Sequence, residues 1–137
     1  MNYQILVDGQ NLLRHRDGTI KLQNLIILRS WANKNGIEIK VILPDSRRYK
    51  ERIEGVEDIV FINYHVHDDS ALIQLAIDLD LPILSNDKFR NFMHLYPEFD
   101  FKGKVFSFDI VLGVLVSEIV DDFKSQNEKF PQIMVNS

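Results

Sequence analysis

At 137 residues, 45% hydrophobic and 26% charged, the chain has the make-up of an ordinary soluble globular protein, sized for a single domain over 1–137 with one real core. No apolar run reaches the ~18 residues of a membrane span, no basic leader or cleavage site precedes the first apolar segment, and the absence of cysteine excludes a disulfide framework or a thiolate zinc site. These features predict a cytoplasmic protein without a membrane partner, and a net charge of −4 argues against broad nonspecific nucleic-acid binding while leaving room for a local basic patch.

Residues 3–8 (YQILVD) are short, apolar and followed by turn chemistry, which predicts a strand ending on Asp8. Gly9 allows a ligand to approach the backbone closely, or supplies a positive φ. Asn11 suits a polar site or the cap of a helix beginning at Leu12. Asp17-Gly18 marks a turn. Over 20–35, Leu22, Leu25, Ile26, Leu28 and Trp31 lie near helical spacing, with Trp31 in the core and Gly36 where a C-terminal cap belongs. IEIKVIL (37–43) is a strand stopped by Pro44 and Asp45, and a polar, basic stretch, SRRYKER (46–52), follows it. A third strand is expected over 58–64, then a helix over 70–79 with Asp68 or Asp69 as its cap. A fourth strand over 81–85 leads into a basic-aromatic turn, KFRNF (88–92), and a fifth strand covers 104–108. The segment 110–123 fits a strand that passes into a helix. Its apolar part, 110–120, fits an interface as well as core, so a homo-oligomer stays open.

Strands alternating with helices, each strand nearly all apolar, predict an α/β fold. It has three α/β/α layers around a mostly parallel sheet of about five strands. Crossovers are expected to be right-handed, and the functional crevice to lie outside the carboxyl ends of the strands.

That frame explains why carboxylates matter here. Asp8 ends the first strand, Asp68 and Asp69 follow the third, Asp87 lies just past the fourth, and Asp109 follows the fifth. Any one of them could be a cap or a strand end. Recurrence at four strand ends places acidic residues on one rim, where they repel each other unless a cation neutralises them. Hard oxygen donors suit Mg²⁺ or Mn²⁺, which keep several waters and take few protein carboxylates. A metal so held activates water and stabilises charge on a reacting phosphate.

Other chemistries fit less well. No GxGxxG follows the first strand, so dinucleotide binding is not expected. A phosphatase with an aspartate nucleophile commonly needs a second acid two residues on, and here that residue is Gln10. His65 and His67 share one face of a strand but lack a third histidine nearby, and suit a polar strand end better than a metal site. Arg47, Arg48, Lys50 and Arg52, with Lys88 and Arg90, concentrate positive charge on the same rim as the aspartates. Tyr49 and Phe89 are interleaved, as in surfaces that combine phosphate attraction with base stacking to hold a single strand.

VDGQN (7–11), then HDDSALIQLAIDLDLPILSNDKFRN (67–91), resemble the NYN/PIN-like ribonuclease domain of the CCCH zinc-finger (Regnase-type) endoribonucleases. That family shows a strand ending VIDGSN, a YDD pair opening a helix, and VSNDNYRD. The eighteen residues between Asp69 and Asp87 match its spacing, and LPDSRRYKER resembles its VPQWRKE segment. The resemblance spans most of 4–108, and NEKFP (127–131) resembles a segment late in the family domain. It implies a Mg²⁺- or Mn²⁺-dependent endonuclease specific for single-stranded RNA, with Asp8, Asn11, Asp68, Asp69 and Asp87 at its catalytic centre. Metal contacts would come from Asp8, Asp87 and one or both of Asp68 and Asp69. The family's further aspartate falls on Asn91, which leaves one position neutral, and Asp109 is a candidate for the missing charge. The zinc finger has no counterpart in this sequence. Arg47, Arg48, Lys50, Lys88 and Arg90 are the candidate RNA contacts. A catalytically weak or inactive RNA-binding module of the same fold is the alternative.

Overall fold

The computed structural model describes residues 3–53, 55–62 and 68–129, with Asp68 and residues 127–129 described by their backbone alone. The chain opens on β1 (Tyr3–Asp8), turns through the short α1 (Gly9–Leu13), and continues with α2 (Gln23–Asn35), β2 (Ile37–Pro44), α3 (Arg47–Ile53) and β3 (Ile59–Ile62). α4 (Asp68–Leu79), β4 (Ile83–Leu84), a 3₁₀ turn (Arg90–Leu95), α5 (Phe101–Lys104) and β5 (Val105–Phe106) complete the main unit. The strands form one five-stranded sheet in the order β3-β2-β1-β4-β5, with parallel pairings throughout. The architecture is the α/β one expected, with helices against the sheet.

β1 is central because both of its faces are covered. Ile5, Leu6 and Val7 are fully buried, which is why the run is continuously apolar instead of alternating. Ile5 and Val7 pack into one core with Leu28 and Trp31 of α2 and Leu43 of β2. Leu6 faces the other core, with Ile42 and with Leu72, Ile73 and Ala76 of α4. Gly36, at φ 67°, caps α2 in the left-handed conformation that glycine adopts without a Cβ penalty. Ile26 points out, 71% exposed. None of the described helices is long and apolar enough to cross a membrane.

Two segments take forms that the sequence left open. The polar, basic stretch after β2 is a helix, α3. Its Tyr49 and Ile53 stand four residues apart, fall on one helical face and are both buried. The tail does not pass directly from strand to helix. β6 (Asp109–Val111) and β7 (Val114–Val116) pair antiparallel as a hairpin before α6 (Ile119–Lys129). Leu112 and Gly113 both take positive φ, the pattern of a two-residue hairpin turn. Leu115 faces the core with Ile110 packed against it, so a period of two was hidden in an apolar run too short to reveal it.

Candidate active site

Asp8 does two jobs at the carboxyl end of β1. It leaves the strand in an extended conformation and caps α1, accepting a hydrogen bond at Oδ1 from the Asn11 backbone N–H at 3.3 Å. The helix therefore begins at Gly9 with Asp8 as its cap, and Asn11 does not cap a helix from Leu12. Gly9 does not take a positive φ; crowding by its neighbours requires a glycine there. A Cβ there would lie 2.6 Å from the Ile42 carbonyl oxygen and from the Leu43 side chain.

The SND segment after β4 is tied to this strand end. The fully buried Ser85 donates its hydroxyl to Asp8 Oδ2 at 2.7 Å and accepts from the Asp87 N–H at 3.0 Å. Asp87 Oδ1 in turn accepts from the Phe89 N–H at 2.8 Å. Asn11 Oδ1 accepts from the Asn86 N–H, and Asn86 Oδ1 from the Phe108 N–H, each at 2.8 Å. Phe89 sits at φ 54°, a strained value for a bulky residue, and is held there by burial in the second core. The loop is thus locked from both sides.

Burial raises the Asp8 carboxyl to about pH 6. The hydrogen bonds from Ser85 and Asn11 work against that rise, and the nearby Asp69 and Asp87 add to it by charge repulsion. Asp69 enters from the first turn of α4, where the helix dipole favours a carboxylate. Asp68 opens the same turn, and its side chain lies outside the described residues. Asp8, Asp69 and Asp87 line an open cleft of about 470 Å³ together with Asn11, Asn86 and the turn residues Arg14, His15 and Arg16. A neighbouring cavity of about 360 Å³ is lined by Asp69, Asp87, Lys88, Arg90 and Asn91.

Among the described residues, no group of three or more acidic or histidine side chains closes into a metal cage. The donor set nevertheless fits Mg²⁺ or Mn²⁺. Such ions are satisfied by one or two carboxylates plus water, and every candidate donor here is a hard oxygen.

Asp109 stands apart from this cluster. It begins β6, half exposed, and pairs with Arg16 Nη2 at 2.8 Å and His15 Nε2 at 3.0 Å. Chiefly Arg16, then His15 and the Ile110 N–H, hold its carboxyl well below the usual carboxylate range. The basic rim is partly neutralised as well. Arg47 pairs with Glu51 at 2.9 Å, and Lys50 with Asp45 at 3.1 Å. Arg48, Lys88 and Arg90 are exposed. Tyr49 and Phe89 are 2% and 1% exposed, so neither offers a stacking platform; both are core. His65 and His67 lie outside the described residues.

Several residues of the site escaped the sequence reading. Ser85 and the Asn86 backbone act through hydrogen bonds to Asp8 and Asn11, more than seventy residues away, which no local pattern marks. Arg14, His15 and Arg16 form an RHR run directly after α1, and that run on the acidic rim was the available signal.

Fold and cleft define a parallel α/β domain whose acidic groups meet at the carboxyl edge of the central strands. Its fold is similar to that of two solved structures of the nuclear protein-only RNase P 2 (PRORP2) of Arabidopsis thaliana, at TM-scores of 0.64 and 0.65 and 20% identity. The match covers 85% and 86% of this chain and 30% of each of those chains. At that identity the likeness shows a shared fold, over about a third of the length of those chains. No protein-family model matches the sequence, and no curated protein matches it in a sequence search.

Proposed function

We propose that this domain is a metal-dependent endoribonuclease that cleaves single-stranded RNA. One observation carries the reading: a partly buried Asp8 carboxylate, fixed by Ser85 and Asn11, shares an open cleft with Asp69 and Asp87 at the carboxyl ends of the strands. Asp8, Asp69 and Asp87 would hold Mg²⁺ or Mn²⁺, with Asp68 beside them in sequence. When bound, the ion supplies charge neutralisation, activation of water and stabilisation of negative charge on the phosphate. Ser85 keeps Asp8 oriented. Asn11 and Asn86 hold the Asp87 loop against β1, so that the carboxylates keep their spacing without substrate. Arg48, Lys88 and Arg90, exposed on the same rim, are suited to the RNA backbone. Similarity to an RNase P structure agrees with an RNA substrate.

Labelled single-stranded RNA incubated with Mg²⁺ or Mn²⁺, and in parallel with EDTA, tests the proposal. Products only with metal are expected. Binding that survives EDTA, with no products under any metal, would instead describe an inactive RNA-binding module of this fold.

A further inference from the structure

The acidic cleft has a basic wall that the carboxylates do not use. Arg14 and Arg16 line the same 470 Å³ cleft as Asp8, Asp69 and Asp87, yet their fates differ. Arg16 gives its Nη2 to Asp109 and to the Ile110 carbonyl oxygen, both at 2.8 Å, and fastens the hairpin to the turn. It does so at φ 79°, a left-handed conformation that disfavours a long side chain. Arg14 meets no acid among the described residues. Its Nε donates to the Tyr49 hydroxyl at 3.0 Å and its Nη1 to the Gly18 carbonyl at 3.1 Å. The guanidinium lies 5.9 Å from the centre of the buried Tyr49 ring, and Tyr49 passes its own hydroxyl hydrogen to Gln10 at 3.1 Å.

Two neutral acceptors and an aromatic face therefore fix the group in place while leaving its charge uncompensated and Nη2 without a partner among the described residues. A planar, fixed cation with a free edge on the cleft is suited to grip an anion there, offsetting the repulsion that the neighbouring carboxylates exert on it. The geometry points to Arg14 as the phosphate-binding residue of the cleft, gripping a backbone phosphodiester of single-stranded RNA laid across the acidic centre. This inference rests on the reading of the cleft as an RNA site. Tyr49 acts as the positioning residue behind it.

The test is RNA binding in EDTA over a range of salt concentrations, for the wild type, Arg14→Gln and Arg14→Lys, with melting temperature as the fold control. Arg14→Gln is expected to bind about tenfold more weakly and to lower the log–log salt slope by about 0.7, the loss of one phosphate contact on a single strand. Arg14→Lys is expected to restore the slope while staying weaker than wild type, because the charge returns without the planar fork. Unchanged affinity and slope in a folded Arg14→Gln overturn the inference. If that variant melts early, Arg14→Lys decides: a slope lower than wild type by one contact overturns it. Arg14-dependent binding in a protein that never cleaves would sink the nuclease proposal and leave the phosphate site standing. Cleavage by the wild type with binding indifferent to Arg14 would do the reverse.

Discussion

Asp8 and Asp109 both stand beside strand ends, and the sequence treats them alike. The fold pushes them in opposite directions. Asp8 is partly buried in the lining of the cleft and its carboxyl is raised to about pH 6, with Asp69 and Asp87 adding repulsion. Asp109 is half exposed on the hairpin, and Arg16 and His15 hold it far below the usual range. The lesson is that a carboxylate at the right topological position is available to a cation only if its neighbours leave its charge uncompensated. Among the described residues Asp8 has hydrogen-bond donors but no cation; Asp109 already has the Arg16 guanidinium.

The largest consequence falls on cleavage. Asp8→Asn keeps the size of the side chain and an oxygen that can accept from Ser85, but removes a negative charge from the cluster. Loss of several kcal/mol of metal-dependent stabilisation corresponds to about a thousandfold drop in rate. Gel-based rates at saturating Mg²⁺ check this, with a melting curve to show the fold intact. Near wild-type cleavage would break the contrast between the two aspartates at its stronger end.

The second consequence is in stability without metal. A carboxyl raised from 3.8 to about 6 on folding means that the folded state binds the proton more tightly than the unfolded one. The stability this contributes is full below about pH 4 and is lost as pH rises through about 6. A shift of about two units corresponds to at most ~3 kcal/mol, and 1–3 kcal/mol is the expected range, ~1 where solvent relaxes the site. Denaturant unfolding in EDTA at pH 4 and pH 7 should therefore show wild type losing stability relative to Asp8→Asn, the other groups cancelling in the difference. Asp109 has the opposite sign: its contribution is present above the ordinary carboxylate range and lost on acidification. A wild-type-minus-mutant difference that ignores pH would mean that Asp8 is not desolvated.

This opposition marks where the sequence stops being legible. The central strand, the helices over 23–35 and 68–79 and the parallel sheet follow from apolar runs, helical spacing and glycine caps, all local signals. Asp8, Asp69 and Asp87 were readable as a cluster because parallel topology sends every strand end to one edge. What each acid meets there was not readable. The Ser85 hydroxyl under Asp8, the Arg16 guanidinium on Asp109 and the burial of Tyr49 and Phe89 are set by contacts between distant segments. Tyr49 and Phe89 misled because aromatic residues among arginines and lysines look the same whether they face solvent or core.

The same rule applied to cations gives a smaller effect. Arg47 is paired with Glu51, whereas Arg48 has no such partner among the described residues. Replacing both with alanine should weaken RNA binding a few-fold and flatten its salt dependence by less than two full contacts, with little change in melting temperature, because exposed pairs contribute little. Fluorescence titrations across salt concentrations read this directly. An unchanged slope would remove α3 from the RNA surface.

Asp109→Asn is expected to do least. It frees Arg16 and His15 from their shared acid but leaves Asp8, Ser85, Asn11, Asp69 and Asp87 in place. Cleavage should stay within about twofold of wild type if metal chemistry depends on the Asp8 cluster alone. The melting temperature should fall slightly, and less at high salt, since the lost pairs are solvent-exposed and screened. The measurement is the cleavage rate at several Mg²⁺ concentrations beside melting curves at low and high salt. A rate that collapses as in Asp8→Asn, and recovers with excess Mg²⁺, would show that Asp109 gives up Arg16 when metal binds and supplies the charge that Asn91 does not. That result would turn the contrast between the two aspartates into a difference between the metal-free and the metal-loaded protein.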